Sequence, residues 1–560
     1  MIHEKLFQPY SATLAKELRP QSLRRDVLAG VRVAMVSLPL ALALGMASGL
    51  TPAQGLMGAV VGSFFLALLG GSRVQIAGPS GILAVLSYGI VTQYGLGGLV
   101  LALFLAGLLL LAIGVFRLGG LVRYIPQPIV LGLTAGIALT LFLGQTGNLL
   151  GLAVPRLGAD FVTQFGELAA ALGTIQPASV VVGGITLLLL LIFLKLLPGW
   201  PVAVLVLGLA AFGVSFFNFH VVTLGDIYGK AFFVLPAWNL QTITYPAFVA
   251  LLPPAFTIAL LAAMESYQSA TVSDALTGGR YRPDTDAIAQ GSANLVLAVL
   301  GGTPVAGSVE RSVANVRFGA RSPVAGLTHA GTLLFILLFL LPWSSYLPVA
   351  SLAAVVVVLG IRMTSWKDLP QTMKTTRSDA VALAVTLLVT VFVNQVFAIL
   401  SGLIVSSFFF MRSIAHSSSV QISSGGASDP LAEPLPPGTT IVDLTGAFFF
   451  GAATKFEQTF RDLLPQTQTL ILRMRDLTLL DASGTRVLER LLADARAKRV
   501  RVAVTEANPD LLRVLEHAEL IQALGPGNLY ASLDGVLKDL RSTQPLVFSI
   551  HPDDATLDPI

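Results

Sequence analysis

Ala77-Gly78-Pro79-Ser80-Gly81 and Gly301-Gly302-Thr303-Pro304-Val305-Ala306-Gly307-Ser308 are the two stretches on which the reading of this 560-residue chain turns. Each stands in front of a short apolar run, at about 80–94 and 308–318. Neither stretch can be regular helix, because proline lacks a backbone donor and glycine in a helix interior is costly. The runs they introduce are the third and tenth of fourteen. The remaining ones lie at about 27–48, 54–69, 96–116, 126–149, 178–197 and 201–217, then at about 246–270, 287–300, 324–341, 347–361, 379–393 and 396–411. Most have the length an α-helix needs to cross roughly 30 Å of hydrocarbon. Hydropathy alone tolerates ten to fourteen crossings. The matching positions of the two broken runs favour fourteen, as seven plus seven.

Composition agrees with a membrane protein. Apolar residues (AVILMFWYC) make up 54% of the chain and charged ones 12%, with a mean hydropathy of +0.78, whereas soluble domains carry roughly 25% charged residues. Of the 66 charged residues, 30 fall in the last 130 positions, so a second, water-soluble part follows the apolar one. The absence of cysteine excludes disulfides and thiolate chemistry. His3, His220, His329, His416, His517 and His551 are scattered without metal-binding spacing, so neither a metal nor any other cofactor is expected. A net charge of +4 is small, and the Lys and Arg read as cytoplasmic membrane flanks rather than as a nucleic-acid surface. No nucleophile, base and orienting group assemble with recognised spacing, so no enzyme is indicated. Residues 1–25, with Lys16, Arg19, Arg24 and Arg25, read as a cytoplasmic surface segment and not as a signal peptide. An even number of crossings then places both termini in the cytoplasm.

In lipid an unpaired backbone group costs several kcal/mol, so a broken helix at membrane depth survives only inside protein or against a wet cavity. Paired breaks in corresponding halves point to a binding site at the midplane of an inverted repeat. Half-helices starting at Ser80 and near Ser308 would aim free N–H groups and positive dipole ends into that site, a place for an anion. Gly78, Gly81, Gly301, Gly302 and Gly307 would allow close approach to the backbone, and the Ser80 and Ser308 hydroxyls would add donors. The competing reading is that the Gly/Pro clusters only permit close helix packing. Charges inside apolar runs are rare and expensive. Glu265 sits within the eighth run, and Glu310 and Arg311 lie just inside the tenth. A carboxylate in a partly dry cavity suits proton coupling; the alternative is a Glu–Arg pair that pins two helices. Asp26, Arg32, Arg73 and Arg117 lie near run ends and are expected to snorkel or face the cytoplasm.

The stretch 413–438 is rich in Ser, Gly and Pro and reads as a linker between the transport domain at 26–412 (repeats about 26–217 and 246–412) and a domain at 439–545, followed by a tail at 546–560. Strand-like runs at 440–444, 469–474 and 500–505 alternate there with helical patterns at 452–464, 483–498 and 509–518, a small α/β domain. In Asp481-Ala482-Ser483-Gly484, Ser483 reads as a helix N-cap, with regulatory phosphorylation as the competing role.

Taken together these residues resemble the sulfate permease (SulP) family, whose animal members form solute carrier family 26. The likeness rests on Asp26-Val27-Leu28-Ala29-Gly30 leading to Leu38-Pro39, on Gly78-Pro79-Ser80-Gly81, and on Glu265-Ser266. It continues through Ala289-Gln290-Gly291-Ser292-Ala293-Asn294, Gly301-Gly302-Thr303-Pro304, Gly307-Ser308, Arg311-Ser312 and Asn315, then an Asp-x-Ser-Gly domain of the STAS type. The resemblance implies two inverted repeats forming core and gate domains, dimers, a cytoplasmic STAS domain open to a cytoplasmic partner, and an anion site between the third and tenth segments. Its substrate contacts carry over to Gly78, Ser80, Glu265, Ser269, Gly307, Ser308, Val309 and Arg311, with Leu40 and Leu44 on the cavity wall and Glu265 and Glu310 as proton-coupling groups. Leu40 stands where many members have Gln, and Glu310 where animal members have Ser. The first makes the site less hospitable to small hydrated anions, and the second partly cancels the positive field and weighs against simple chloride or oxalate exchange. The expectation is a proton-coupled symporter of a C4-dicarboxylate such as fumarate in a bacterial inner membrane. A sulfate or bicarbonate symporter, an uncoupled exchanger or channel, and a sensor signalling through the STAS domain are the alternatives.

Overall fold

In a computed structural model the chain is described over residues 20–154, 157–197, 199–229, 245–417, 419–423 and 435–543, and it divides into two compact units, Met1–Ser406 and Ser407–Ile560. Every one of the fourteen apolar runs is helical. The first seven form α1 (Pro20–Ala47), α2 (Pro52–Leu69), α3 (Gly81–Val115), α4 (Gln127–Leu150), α5 (Pro177–Leu196) and α6 (Val202–Phe216). Two runs share α3, which breaks at Gly95, where a φ of 69° takes the backbone out of the helical region. The second seven form α7 (Tyr245–Thr277), α8 (Pro283–Leu300), α9 (Val309–Arg317), α10 (Val324–Phe335, continued by tighter and wider turns to Tyr346), α11 (Val349–Met363), then, after the surface helix α12 (Asp368–Thr375), α13 (Arg377–Phe392) and α14 (Gln395–Ser417). Among the described residues nine helices are long and apolar enough to cross a membrane unaided. α9, with nine residues, is far too short.

Local chemistry fixes the ends. Thr51 and Gln54 form a reciprocal capping box at the start of α2, with Pro52 in the first helical position, where its missing N–H is no loss. α4 and α8 both stop at a glycine in the left-handed region, Gly151 and Gly301. Two groups of helices emerge. α1, α2, α3, α7, α8, α9 and α10 pack mainly on one another, and α4, α5, α11 and α13 make a second group. Gly132 and Gly136 let α4 lie directly against α13. This is the core and gate division that the family resemblance implies.

The two ends of the bundle differ in charge. One end joins Asp26 to Arg321, Gly71 to Arg282 and Gly119 to Asp284, and its turns and adjoining helix ends hold Arg73, Arg117, Arg123, Lys195, Arg280, Arg282, Arg317, Arg321, Lys367, Lys374 and Arg377. The other joins Gln176 to Leu150 and Leu224 to Leu347, and its described turns hold no Lys or Arg. Asp26 departs from the snorkelling expected of it. It is buried and accepts hydrogen bonds from the backbone N–H of Arg321 (2.7 Å) and Ser322 (3.3 Å) and from the Ser322 hydroxyl (2.5 Å). It thereby satisfies donors in the turn just before α10, a partner 295 residues away.

In the second unit, β3 (Ser419–Ser423), β4 (Thr439–Phe448), β5 (Thr469–Arg473), β7 (Arg501–Thr505) and β8 (Leu529–Tyr530) form a sheet in that order, with β6 (Leu477–Leu480) also paired to β4. β4, β5, β7 and β8 are parallel and β3 is antiparallel. α15 (Phe450–Leu463), α16 (Ala482–Ala497), α17 (Pro509–His517) and α18 (Leu533–Thr543) complete the α/β domain, with Val442, Phe448, Phe456, Leu470 and Leu488 in its main core. The stretch expected to be a linker is helical to Ser417 and supplies β3; residues 424–434 lie outside the described part. Ser483 is not the N-cap. Asp481 is, accepting from the N–H of Ser483 and of Gly484, each at 2.8 Å, because a carboxylate two residues earlier reaches both donors.

Candidate anion-binding site

The site forms where the chain twice abandons helix. Residues 71–76 lead back from the end of α2 into a two-residue strand, β1 (Ala77–Gly78), and residues 302–305 lead back from α8 into β2 (Ala306–Gly307). The strands pair antiparallel, Ala77 opposite Gly307 and Gly78 opposite Ala306. Their remaining backbone groups find partners nearby, as burial in a membrane bundle demands. The Ser63 hydroxyl donates to Ala77 O (2.7 Å), Ser308 N–H to Ile76 O (2.9 Å), and Ile76 N–H to Ser312 Oγ (2.9 Å). The Asn294 amide mimics a neighbouring strand, donating to Val305 O and accepting from Val305 N–H.

Ser80 and Ser308 follow these strands and cap α3 and α9. Their hydroxyl oxygens accept from Leu83 N–H (3.2 Å) and Arg311 N–H (3.5 Å). The shared ladder lies one or two residues upstream of both caps, so the two helix starts stand beside one another with first-turn N–H groups not committed to the helix. Each end carries about half a positive charge. Ser80, Ser308, Val309 and Glu310 are partly exposed here, whereas Gly78, Gly307 and Arg311 are buried.

The two glycines make room for side chains. A Cβ on Gly78 would collide with Arg311 Nη1, and one on Gly307 with Gln75 Nε2 and Ser266 Oγ. Arg311, 2% exposed, donates through Nη2 to Pro79 O at 2.6 Å and so ties α9 to β1. Its charge thus stands behind the helix ends. Gln75 donates to Ser266 O (3.1 Å), and Gly307 N–H donates to Ser266 Oγ (2.7 Å), so α7 holds β2 in place. The sequence reading missed Gln75; its one signal is a polar amide in the buried approach to a break. Ser269 is buried and shares a hydrogen bond with Ser312 (2.9 Å), bracing β1 from behind, and Leu44 is fully buried on α1. Neither lies on an open cavity wall. Leu40 is half-buried against the apolar core.

Glu265, partly exposed on α7, interacts with the Ser80 hydroxyl and the Arg311 charge, and its Oε2 is buried without a hydrogen-bond partner among the described residues. Glu310, in the first turn of α9, stands 4.0 Å from Arg362 of α11. Arg362, which lies one residue past an apolar run, was not singled out from sequence. His329, fully buried on α10, has neither ring nitrogen hydrogen-bonded among the described residues and lies within the field of Arg311. No group of three or more His, Cys, Asp or Glu among the described residues is placed to hold a metal ion. Ser483 lies in the second unit.

Comparison with known proteins finds the sulfate permease family over residues 23–386 and the STAS domain over residues 433–535. The Bacillus subtilis protein YvdB is 30% identical over 518 residues, which are 92% of this chain and 97% of that one. The bicarbonate transporter BicA of Picosynechococcus is 24% identical over 94% of this chain and 96% of its own, and the sodium-independent sulfate anion transporter of Bos taurus is 27% identical over 94% and 90%. Among solved structures, the murine Slc26a9 anion transporter matches with a TM-score of 0.85 at 15% identity, over 96% of this chain and 94% of that one. The transmembrane domain of a cyanobacterial BicA matches with a TM-score of 0.61 at 25% identity, over 70% and 98%.

Proposed function

The chain belongs to the sulfate permease family of anion transporters, and from that premise we propose that it is a proton-coupled symporter whose substrate is a C4-dicarboxylate such as fumarate. The observation that carries the reading is the pair of capped helix starts joined by the β1–β2 ladder, with the Glu265 carboxylate beside one of them. Uncommitted first-turn N–H groups that follow Ser80 and Ser308 hold one carboxylate of the substrate, the partly exposed Val309 lines its approach, and Gly78 and Gly307 seat the side chains behind it. Arg311 supplies positive field from behind. Glu265 takes up a proton from the side to which the site is open and releases it after the core helices move against the gate. Glu310 is the second acid.

Energetics require such coupling. Moving a dianion against an inside-negative potential costs about 2.3 kcal/mol per charge per 100 mV, so two protons make uptake electroneutral and a third gives electrical drive. The basic end of the bundle faces the cytoplasm by the positive-inside rule. The protein would then sit in a bacterial inner membrane as a dimer, with both termini inside and the STAS domain accessible to a cytoplasmic partner. Sulfate or bicarbonate is the second reading, supported by the named activities of the bicarbonate and sulfate transporters that this chain resembles.

Uptake of radiolabelled fumarate, succinate, sulfate, bicarbonate and chloride into proteoliposomes, with and without an imposed inward proton gradient, tests the reading. Fumarate uptake should rise with the gradient in the wild type, and Glu265→Gln should lose that acceleration. Equal proton-driven rates in both would remove Glu265 from the mechanism, and gradient-driven sulfate with no fumarate flux would replace the substrate.

A further inference from the structure

The start of α9 carries an acid where an anion is to bind, and Glu310 in its first turn partly neutralises the dipole end and repels the substrate. The structure supplies the compensation from the opposite helix group. Arg362, in the last turn of α11, places Nε 4.0 Å from Glu310 Oε1, and both side chains are partly open, 54% and 36% exposed. The same turn of α11 closes on the other helix start: a Cβ on Gly81, the first residue of α3, would stand 3.2 Å from Met363 Sδ and 3.4 Å from Leu359 Cδ2. One end of one gate helix therefore meets both half-helices, with apolar contact at α3 and a charge pair at α9. Arg311 cannot take this role, being buried and bonded to Pro79.

We infer that Arg362 is the gate-side binding residue for the second negative charge of a dianion, and that Glu310 holds its place until substrate arrives. This rests on the anion site proposed above. One end of the substrate sits on the N–H groups of α3 and α9, and the other exchanges with the Glu310 carboxylate for the Arg362 guanidinium. A planar guanidinium suits a carboxylate or sulfate oxygen pair, and the direct Glu310–Arg362 link between core and gate gives way to one through the substrate only when a doubly charged anion is bound. A monoanion has no second charge with which to displace Glu310. The pair thus sets preference for dianions over monoanions.

The test is equilibrium binding to the purified full-length chain, using fumarate and sulfate as dianions and bicarbonate and chloride as monoanions. For Arg362→Gln, dianion affinity should fall about tenfold, the value of one lost charge-assisted contact, while monoanion affinity stays within about twofold. Glu310→Gln frees Arg362 and should strengthen dianion binding. In the double variant that gain should vanish, since each change acts through the other. An equal loss for dianions and monoanions in Arg362→Gln, or a gain in Glu310→Gln that survives in the double variant, overturns the exchange while leaving the anion site standing. A wild type that binds none of the four probes overturns the site itself and this inference with it.

Discussion

Gly78 and Gly307 are needed less for substrate access than for the side chains they seat. Gly307→Ala drives a methyl group into the Gln75 amide and the Ser266 hydroxyl, and Gly78→Ala drives one into the Arg311 guanidinium. Each substitution should cost about 1–3 kcal/mol of stability, the usual size of overpacking, and should abolish substrate binding by displacing the strand that sets a helix start. Gly89→Ala is the control: open space surrounds that position in α3, and alanine there should be neutral or raise the melting temperature slightly. Melting temperature with and without fumarate reads all three. These seats were not legible in sequence. Ser80 and Ser308 were, because a Gly/Pro cluster in an apolar chain is a local signal. That Gln75 fills the space over Gly307, or that Asp26 holds the turn before α10, 295 residues on, depends on a packing that no local pattern encodes.

At the scale of elements, fourteen runs became fourteen helical segments because length and hydropathy are properties of contiguous sequence, and the two breaks fell where the glycines and prolines put them. The strand Ser419–Ser423 was hidden in a stretch read as linker, since Ser-Val-Gln-Ile-Ser has two apolar residues and gains its stability from pairing with β4. The start of α16 gives a direct test of capping. Asp481→Ala removes the acceptor for two N–H groups and should destabilise the first turn by about 1 kcal/mol, seen as faster amide exchange at residues 483–485 in the full-length chain; Ser483→Ala should leave that exchange unchanged. A second test lies at the C-terminal end of the central strand β5, where Arg473 Nε donates to Glu506 at 2.6 Å and Arg473 Nη1 stands 3.6 Å from Asp443. Burial pushes Glu506 up, but the Arg473 hydrogen bond and charge hold it below its ordinary value of 4.5. A carboxylate depressed in this way stabilises the fold above its ordinary value and ceases to as pH falls through the folded value. Arg473→Ala should therefore cost about 1–2 kcal/mol at neutral pH, with the gap to wild type closing as pH falls from 4.5 through the lower folded value.

Across the whole molecule, the proposed orientation rests on the charge difference between the described turns of the two ends, and the two groups of helices meet at the candidate site. Because the chain has no cysteine, single cysteines report topology cleanly. Gly173→Cys, at the end whose described turns hold no Lys or Arg and with open space around it, should react with a membrane-impermeant maleimide in intact cells, and Lys374→Cys, at the basic end, only after permeabilisation. The reverse pattern would invert the proposed topology. The most direct measurement is a structure of the full-length chain with bromofumarate or selenate, locating the bound anion by anomalous scattering. The account predicts one peak within hydrogen-bonding reach of the first-turn N–H groups that follow Ser80 and Ser308. A peak elsewhere in the bundle, with the β1–β2 ladder intact and nothing between the two helix starts, would contradict it.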